Sequence, residues 1–431
     1  MSNLNAAAPS AASPPLASAA EIRMVVLSSF VGNSIEYYDF FVYGLATALV
    51  FGKLFFPMVS PLAATLAAFA TFGVGVLARP LGGGVGGQLG DTIGRKRTLV
   101  ITLLTMGTAT TLVGFLPTYA QVGILAPALL VLLRFLQGFA VGGEWGGAML
   151  VVVESAPQKY RGLLGAIPNT GGFSGQLGGT AMFALLGLLP SDQMLSWGWR
   201  VPFIVSFLLV MFGLYLRIHL DETPVFKRLQ AAGTARHGGF PALEVIRTSW
   251  RRLLLVIAMV FAIQVPFFLA TVFAVSYATN QLGVPQQTLL GVILATCVIA
   301  FPSHCCFGWL SDRIGRRPVY IFGAVLAAVF AFPFFYLLES GSFGLMVLGY
   351  ILLLNVAHNA MNAVEPTLFT EIFGAKTRYS GVSIGLQFGS VIAGGFTPFI
   401  AKALTAVDGN RWTLVAIYVI AACALSVVAA L

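Results

Sequence analysis

Charged residues are scarce in this 431-residue sequence. Lysine, arginine, aspartate and glutamate together make up 9% of it, against roughly 25% in a typical soluble domain. Hydrophobic residues make up 58%, and the mean hydropathy is +0.89. This balance excludes an ordinary soluble globular protein.

Cysteine is scarce as well, and its placement excludes two kinds of site. The four cysteines all lie inside apolar runs, at Cys297, Cys305, Cys306 and Cys423. Their spacing matches neither a disulfide framework nor a zinc site, so we interpret them as small buried hydrophobic residues. The sequence also lacks a nucleophile–base constellation and a nucleotide-binding loop. We therefore expect no enzyme and no bound metal or cofactor.

Long apolar runs are what the sequence has in excess. A helix needs about 20 residues to cross a bilayer, and runs of this kind predict an all-α membrane protein with twelve spans. They lie at about residues 24–50, 61–88, 98–117, 123–152, 163–190, 199–220, 252–281, 287–310, 319–338, 343–370, 379–405 and 411–431.

The spans define four regions of the chain. Residues 1–22 are expected to be a disordered tail, because they lack the basic start and apolar core of a signal peptide. A six-helix bundle follows at 23–220, then a hydrophilic central loop at 221–251 and a second six-helix bundle at 252–431. Since the sequence stops directly after the twelfth run, we expect no regulatory tail beyond it.

Basic residues cluster in the loops on one side of this topology. The net charge is +9, but the bases fall in short loops rather than in a stripe that would bind nucleic acid. One side carries Arg95, Lys96, Arg97, Lys159, Arg161, Arg313, Arg316, Arg317, Lys376 and Arg378, and the other mainly Lys53, Arg200, Lys402 and Arg411. By the positive-inside rule, the N-terminus and the central loop are cytoplasmic.

One of these loops occurs twice. Residues 87–97 read GQLGDTIGRKR, and residues 308–317 read GWLSDRIGRR. Repeated segments at one offset, roughly 220 residues, predict a duplicated half-protein. Gly94 should form a sharp turn between two helices, because glycine adopts positive φ at little cost. Asp91 is expected to cap the next helix or to pair with a nearby arginine.

Both copies of the loop resemble the signature loop of the major facilitator superfamily. The resemblance implies two pseudo-symmetric six-helix bundles that work by alternating access. We expect charged residues of the loops and of the neighbouring span ends to form ion-pair clusters that lock and release a gate, with a fixed brace as the alternative. These residues are Asp91, Arg95, Glu154, Arg161, Asp312, Arg316, Glu371 and Arg378.

Polar residues inside the first span are candidates for function, because each is costly in a membrane. Glu36, Asp39 and Tyr43 fall on one helical face. Two carboxylates this close disfavour each other's charge, which suits proton coupling. The alternative is that both pair with arginines and only hold the bundle together.

Arginines in spans two and four are the candidate partners of these carboxylates. Arg79 precedes Pro80, which can kink the helix. Its guanidinium could counter Asp39 or bind an anionic substrate. In span four, one stripe of the helix carries Arg134, Gln137, Val141 and either Glu144 or Trp145. Arg134, Gln137 and Glu144 are candidates for contact with the substrate or the proton.

Span ten supplies polar residues from the second half, which should point away from lipid. They are Asn355, His358, Asn359, Asn362 and Glu365. His358 is a candidate proton relay, because histidine titrates near physiological pH; a hydrogen-bonded structural histidine is the alternative. Further inward-facing candidates are Gln176, Gln264 and Gln387.

Longer stretches narrow the resemblance to the metabolite:proton symporter family, in particular its shikimate permease branch. They are Glu36-Tyr-Tyr-Asp-Phe, Arg79-Pro-Leu-Gly-Gly, Phe139-Ala-Val-Gly-Gly-Glu-Trp-Gly-Gly-Ala, Glu154-Ser-Ala-Pro and Trp197-Gly-Trp-Arg-Val-Pro-Phe. Arg134-Phe-Leu-Gln-Gly also resembles a fourth-span motif of proton-coupled carriers. The branch carries aspartate where Glu36 stands, which leaves shikimate itself open as the substrate.

The family resemblance implies uptake of a small organic acid, such as shikimate or a di- or tricarboxylate, together with protons. We expect the carrier to act as a monomer. Asp39 or Glu36 would carry the proton, Arg79 and Arg134 would hold the substrate carboxylate, and span ten would close the cavity. One alternative is a symporter of a betaine, because aromatic residues could surround the quaternary amine of that substrate. The others are an efflux antiporter and a membrane sensor that transports nothing.

Overall fold

Twelve long helices, α1 to α12, dominate the structure, which is a computed structural model. It describes residues 19–219, 241–374, 378–409 and 411–431, and no strand occurs among them. Seven of the helices are uninterrupted: α2 Pro61–Thr92, α3 Arg95–Phe115, α4 Leu125–Ser155, α6 Val201–Ile218, α8 Gln286–Ile314, α9 Arg316–Glu339 and α12 Thr413–Ala430.

The other five helices contain turns of a different pitch. α1 runs through Ala19–Ala46, a π-helical turn at Thr47–Phe51 and Gly52–Phe55, and α7 through Trp250–Phe268, a π-helical turn at Leu269–Phe273 and Ala274–Asn280. α5 comprises Arg161–Ala166, a 3₁₀ turn at Ile167–Thr170 and Gly171–Leu186. α10 comprises Phe343–Tyr350, a π-helical segment at Ile351–His358 and Asn359–Ile372, and α11 Arg378–Gly389, Ser390–Gly395 and Thr397–Val407.

The helices confirm the predicted all-α membrane fold of two six-helix bundles. Ten of the twelve are long and apolar enough to cross a membrane, and the other two, α2 and α5, are rich in glycine. Of the predicted tail, residues 1–18 lie outside the described residues, and α1 already begins at Ala19. Residues 221–240 of the predicted central loop also lie outside the described residues, and Pro241–Thr248 forms a short helix. Lys376, one of the basic loop residues, lies outside them as well.

The duplicated loops form the predicted sharp turns. Gly94 joins α2 to α3 with a φ of 112°, and Gly315 joins α8 to α9 with a φ of 96°. Both values lie in the region that only glycine adopts at little cost. The same backbone geometry therefore occurs at matching points of the two bundles.

Small residues bring helices of the first bundle into close contact. α2 packs along α4 and α1 along α5. A Cβ atom at Gly142 of α4 would overlap the carbonyl oxygen of Arg79 on α2. The two backbones can approach this closely only because α4 has glycine there.

The two bundles meet where α2 contacts α11 and where α5 contacts α8 and α10. Each bundle has its own apolar core. Aromatic residues form much of the first: Tyr43, Phe51, Phe55, Trp199 and Phe203 pack mostly edge to face, and Phe51 stacks on Phe203.

None of the four cysteines forms a disulfide, and two of them are not fully buried. Cys297 and Cys423 lie in the interior, and Cys305 is partly covered. Cys306 is exposed on the surface of α8. The prediction of a buried residue was wrong there, because an apolar run has a lipid-facing side as well as an inner one.

Candidate functional site

A central cavity lies between the two bundles. It comprises about 770 Å³ of space without protein atoms, part of which is open to solvent. Residues of both halves line it: Asn33, Glu36, Tyr37, Arg79, Trp145, Asn169, Gly172, Phe173, Gln176, Gln264, Phe267, His358, Asn362, Glu365, Leu386, Gln387 and Ser390. The three glutamines predicted to face inward, Gln176, Gln264 and Gln387, are all on its wall.

Arg79 is the one cationic side chain among the described residues that line this cavity. It lies on α2, with its guanidinium carbon 5.7 Å from the centre of the Phe40 ring. Its Nε atom is buried without a hydrogen-bond partner. The structure shows no ion pair between Arg79 and Asp39, so the guanidinium keeps donors available for a ligand.

Glu36 lies where the central cavity adjoins a smaller chamber inside the first bundle. The chamber has about 280 Å³ of space without protein atoms and is formed by α1, α2, α3 and α4. Glu36 and Arg79 line both spaces. A change in the charge of either side chain therefore changes the electrostatic potential in both the cavity and the chamber.

A chain of hydrogen bonds connects Asp39 to Arg134 in this chamber. The Thr110 hydroxyl donates to Asp39 Oδ2 at 2.7 Å, and Gln137 Nε2 donates to the Thr110 oxygen at 2.6 Å. Arg134 Nη1 in turn lies 3.4 Å from Gln137 Oε1. Asp39 Oδ1 is buried and has no partner. The acid and the guanidinium are thus linked through two neutral side chains instead of a direct ion pair.

Arg134 is held by aromatic rings. Its guanidinium carbon lies 4.2 Å from the centre of the Tyr43 ring and 4.7 Å from that of Phe72. The Tyr43 hydroxyl is fixed by Thr71 at 2.9 Å. The predicted candidates Asp39, Tyr43, Arg134 and Gln137 therefore lie together, in the small chamber and its wall.

Span ten divides its polar residues between the cavity and the interior of the second bundle. His358 stacks on Phe267 with 5.3 Å between ring centres, and Asn362 accepts from Asn169 of the other bundle at 3.0 Å. Asn355 and Asn359 instead donate to Thr296 and Ser303 on α8. The structure places these two asparagines outside the cavity.

Glu144 also lies outside both spaces, although it was predicted to act with substrate or proton. It forms a fully buried ion pair with Arg217 of α6, which also donates to the Leu99 carbonyl at 2.6 Å. The next residue, Trp145, faces the cavity instead. The fourth-span stripe therefore turns away from the cavity at Glu144.

A first ion-pair cluster links the two bundles at the end of the molecule where α1 begins. Arg95 lies 3.4 Å from Asp91 and 3.8 Å from Glu154, and Arg378 of the other bundle lies 3.7 Å from Glu154. Asp91 also accepts from the backbone nitrogen and the hydroxyl of Ser380. Asp91 pairs with arginine as predicted, but it caps α11 of the opposite bundle rather than the next helix.

A second cluster repeats this arrangement from the other half. Asp312 lies 3.1 Å from Arg316 and accepts from the backbone nitrogens of Gly162 and Leu163 at the start of α5. Arg316 lies 3.7 Å from Glu371. Arg161 forms no ion pair with any described residue, and its buried Nε has no hydrogen-bond partner.

Several site residues were missed from the sequence. Arg217 was recognisable as a charge inside an apolar run, which is a standard sign of function or pairing. Thr110 gave no such signal, because threonine is common in membrane helices. Asn33 and Asn169 were also overlooked, and both lie on the cavity wall. Among the described residues, no group of three or more His, Cys, Asp or Glu side chains could hold a metal ion.

Two family models match the chain. The family described as Sugar (and other) transporter matches residues 24–236, and the one described as Major Facilitator Superfamily matches residues 302–431. Among solved structures, the proton:xylose symporter XylE bound to 6-bromo-6-deoxy-D-glucose has a TM-score of 0.75 at 19% identity, over 95% of this chain and 94% of that one. This likeness shows a shared fold.

Curated relatives are similar over nearly the whole chain. The shikimate transporter of Escherichia coli K12 is 44% identical over 410 residues, which cover 95% of this chain and 94% of the relative. The inner membrane metabolite transport protein YhjE of the same organism is 38% identical, over 88% and 87%. The glycine betaine/proline/ectoine/pipecolic acid transporter OusA of Dickeya dadantii is 35% identical, over 91% and 79%.

Proposed function

The chain belongs to the major facilitator superfamily, a family of multi-pass membrane transporters and not of enzymes, and we propose that it is a proton-coupled symporter of a small organic acid such as shikimate. It would work as a monomer by alternating access, in the bacterial inner membrane with a cytoplasmic N-terminus. The proposal is carried by one observation: Arg79 and Glu36 share the wall between the central cavity and the chamber of Asp39 and Arg134.

Arg79 is the natural partner for the carboxylate of the substrate. A guanidinium binds a carboxylate through two parallel hydrogen bonds, and the described cavity wall offers one guanidinium. The rest of the polar wall is mostly neutral amide, from Asn33, Asn169, Gln176, Gln264, Asn362 and Gln387. A monocarboxylate with several hydroxyl groups fits this wall better than a tricarboxylate, which would need further cations.

Glu36 and Asp39 are the proposed proton carriers. When a substrate carboxylate occupies Arg79, Glu36 loses the nearest cation on the cavity wall, and an ionised carboxylate without a partner is costly in a membrane interior. Uptake of a proton by Glu36, or by Asp39 next to it, restores neutrality. Entry of the anion and entry of a proton are then favourable only together.

The two ion-pair clusters are the proposed gate. Each holds an aspartate of one bundle against the first turn of a helix in the other, Asp91 at Ser380 and Asp312 at Gly162. These contacts would close one end of the cavity. They have to break when the bundles rock apart at that end.

Symport of a betaine is the second candidate. Aromatic side chains line the cavity at Tyr37, Trp145, Phe173 and Phe267, and aromatic faces attract quaternary amines. Two carboxyl groups also face the space. A relative at 35% identity carries betaine and proline according to its name.

Uptake into proteoliposomes tests the proposal. Labelled shikimate, citrate and glycine betaine would be supplied with and without an inward proton gradient. We expect gradient-driven uptake of shikimate that is lost in Asp39→Asn and in Arg79→Gln. Arg313→Gln is the matched control, because that arginine stacks on Trp309 outside the cavity. Betaine uptake that survives Arg79→Gln would favour the second candidate, and shikimate uptake without any response to the gradient would refute proton coupling.

A further inference from the structure

The positive and negative charges inside the first bundle are equal in number. Its membrane interior holds three carboxyl groups and three guanidinium groups among the described residues, those of Glu36, Asp39, Glu144, Arg79, Arg134 and Arg217. With all six ionised, the net charge of this interior is zero. The bundle can therefore change conformation without bound substrate and without moving a net charge through the membrane.

Among its described residues, the second bundle has one carboxyl group at the depth of the cavity and no arginine or lysine there to match it. Glu365 of α10 is 3% exposed and lines the cavity. Its Oε1 atom is buried without a hydrogen-bond partner, and no arginine or lysine of the described chain forms an ion pair with it. An ionised Glu365 would leave the empty carrier with an uncompensated buried charge.

The groups that face Glu365 supply no positive charge that could compensate an ionised carboxylate there. The titratable and charged side chains around it at cavity depth come from α1, α2, α8, α9 and its own helix, and are Glu36, Tyr37, Arg79, His304, Tyr320 and His358. The helices α4, α5, α7 and α11 contribute uncharged side chains to the same space, namely Trp145, Asn169, Gln264 and Gln387. Arg79 is the one cation of this set, and the charge balance of the first bundle already requires it.

We propose that Glu365 stays protonated throughout the cycle and donates a hydrogen bond to the substrate, so that a monocarboxylate enters with one proton and no net charge. The net charge of the membrane interior is then zero in both states that change conformation, the empty carrier and the loaded carrier. The empty carrier is neutral, with Glu365 as a neutral acid. The loaded carrier adds one negative charge from the substrate and one proton on Glu36 or Asp39, and is neutral again.

This inference rests on the proposed symport, but it can fail separately. A protonated carboxyl group is a donor that can reach a hydroxyl or carboxylate oxygen of the bound acid, and glutamine has the same shape and also donates. Methionine has a similar length and cannot donate. Glu365→Met should therefore weaken substrate binding, whereas Glu365→Gln, which keeps a donor, should retain most of the transport.

The test measures labelled shikimate uptake in proteoliposomes with an inward proton gradient, with and without a tenfold potassium gradient and valinomycin to make the interior negative. Symport that carried one net charge would raise accumulation about tenfold under this potential; we expect no change. Glu365→Gln should keep gradient-driven uptake within about threefold of the wild type, and Glu365→Met should raise KM about tenfold, the loss expected for one hydrogen bond. Glu339→Met is the control, because Glu339 bonds to Tyr277 and Trp412 away from the cavity.

Each other result contradicts the proposal. A response to the potential in the wild type would mean that a second proton is carried, and loss of coupling in Glu365→Gln would mean that the carboxyl group has to ionise. An unchanged KM in Glu365→Met, with the variant shown to be folded by its melting temperature, would remove the donor role. Absence of proton-driven uptake in the wild type would refute the symport itself, and the inference with it.

Discussion

Replacing Arg217 by methionine should destabilise the first bundle strongly. Arg217 and Glu144 form an ion pair in which the side chains are 1% and 2% exposed. Methionine fills much of the same volume but leaves the Glu144 carboxylate without its cation. Breaking a buried pair in this way typically costs about 3–5 kcal/mol.

A second loss adds to this cost. Arg217 also donates to the Leu99 carbonyl at 2.6 Å, and a buried acceptor left without its donor costs about 1–3 kcal/mol. Since both losses concern one side chain and such effects do not add in full, we expect a total of about 4 kcal/mol. In a bundle of this size, that corresponds to a fall in melting temperature of roughly 8–16 °C.

The assay is thermal unfolding of the purified protein in detergent, followed by its intrinsic fluorescence. The double variant Glu144→Gln/Arg217→Met should recover most of the loss, because removing both charges leaves no unpaired ion. Arg313→Met, an exposed arginine on Trp309, should change stability by less than about 1 kcal/mol. A double variant as unstable as the single one, or a single variant as stable as the wild type, would refute the reasoning.

Two further predictions concern the gate and the helix contacts. Asp91→Asn should weaken the hold on Ser380 and increase labelling of a single cysteine at Gln387 from the end that the cluster closes, in a background with the native cysteines replaced by serine; unchanged labelling would show that Asp91 is only a brace. Gly142→Ala should cost about 1–3 kcal/mol in melting experiments, because its Cβ would overlap the backbone of α2. Gly84→Ala is the control, since nothing lies within 4 Å of a Cβ there, and equal effects of the two changes would contradict the close-contact argument.

The architecture could be predicted from the sequence because its signals are local. Apolar runs of spanning length, two copies of one loop and glycine at the turn each follow from short stretches, and the structure bears them out at Gly94 and Gly315. Partners of the polar side chains are not local. Arg217 meets Glu144 across 73 positions of sequence, and Thr110 meets Asp39 across 71. Helical periodicity places a residue on a face but does not say which helix packs there.

Span ten shows a second reason. A period of 3.6 residues puts Asn355 and Asn359 on one stripe of the helix and His358 and Asn362 on the neighbouring stripe. Asn355 and Asn359 turn towards α8, while His358 and Asn362 reach the cavity. Helical periodicity separates the two pairs but does not say which pair faces the cavity.

The π-helical turns of α1 and α7 bear on the history of the molecule. They occupy Thr47–Phe51 and Leu269–Phe273, at an offset close to that of the duplicated loops. A π turn arises when one residue is inserted into an α-helix, and such turns are frequent at functional sites. An insertion at equivalent points of both halves is most simply inherited from a single ancestor. The ancestral half-protein would then have carried this irregular turn before its gene was copied and fused, and both descendants would have kept it while most of their sequence diverged.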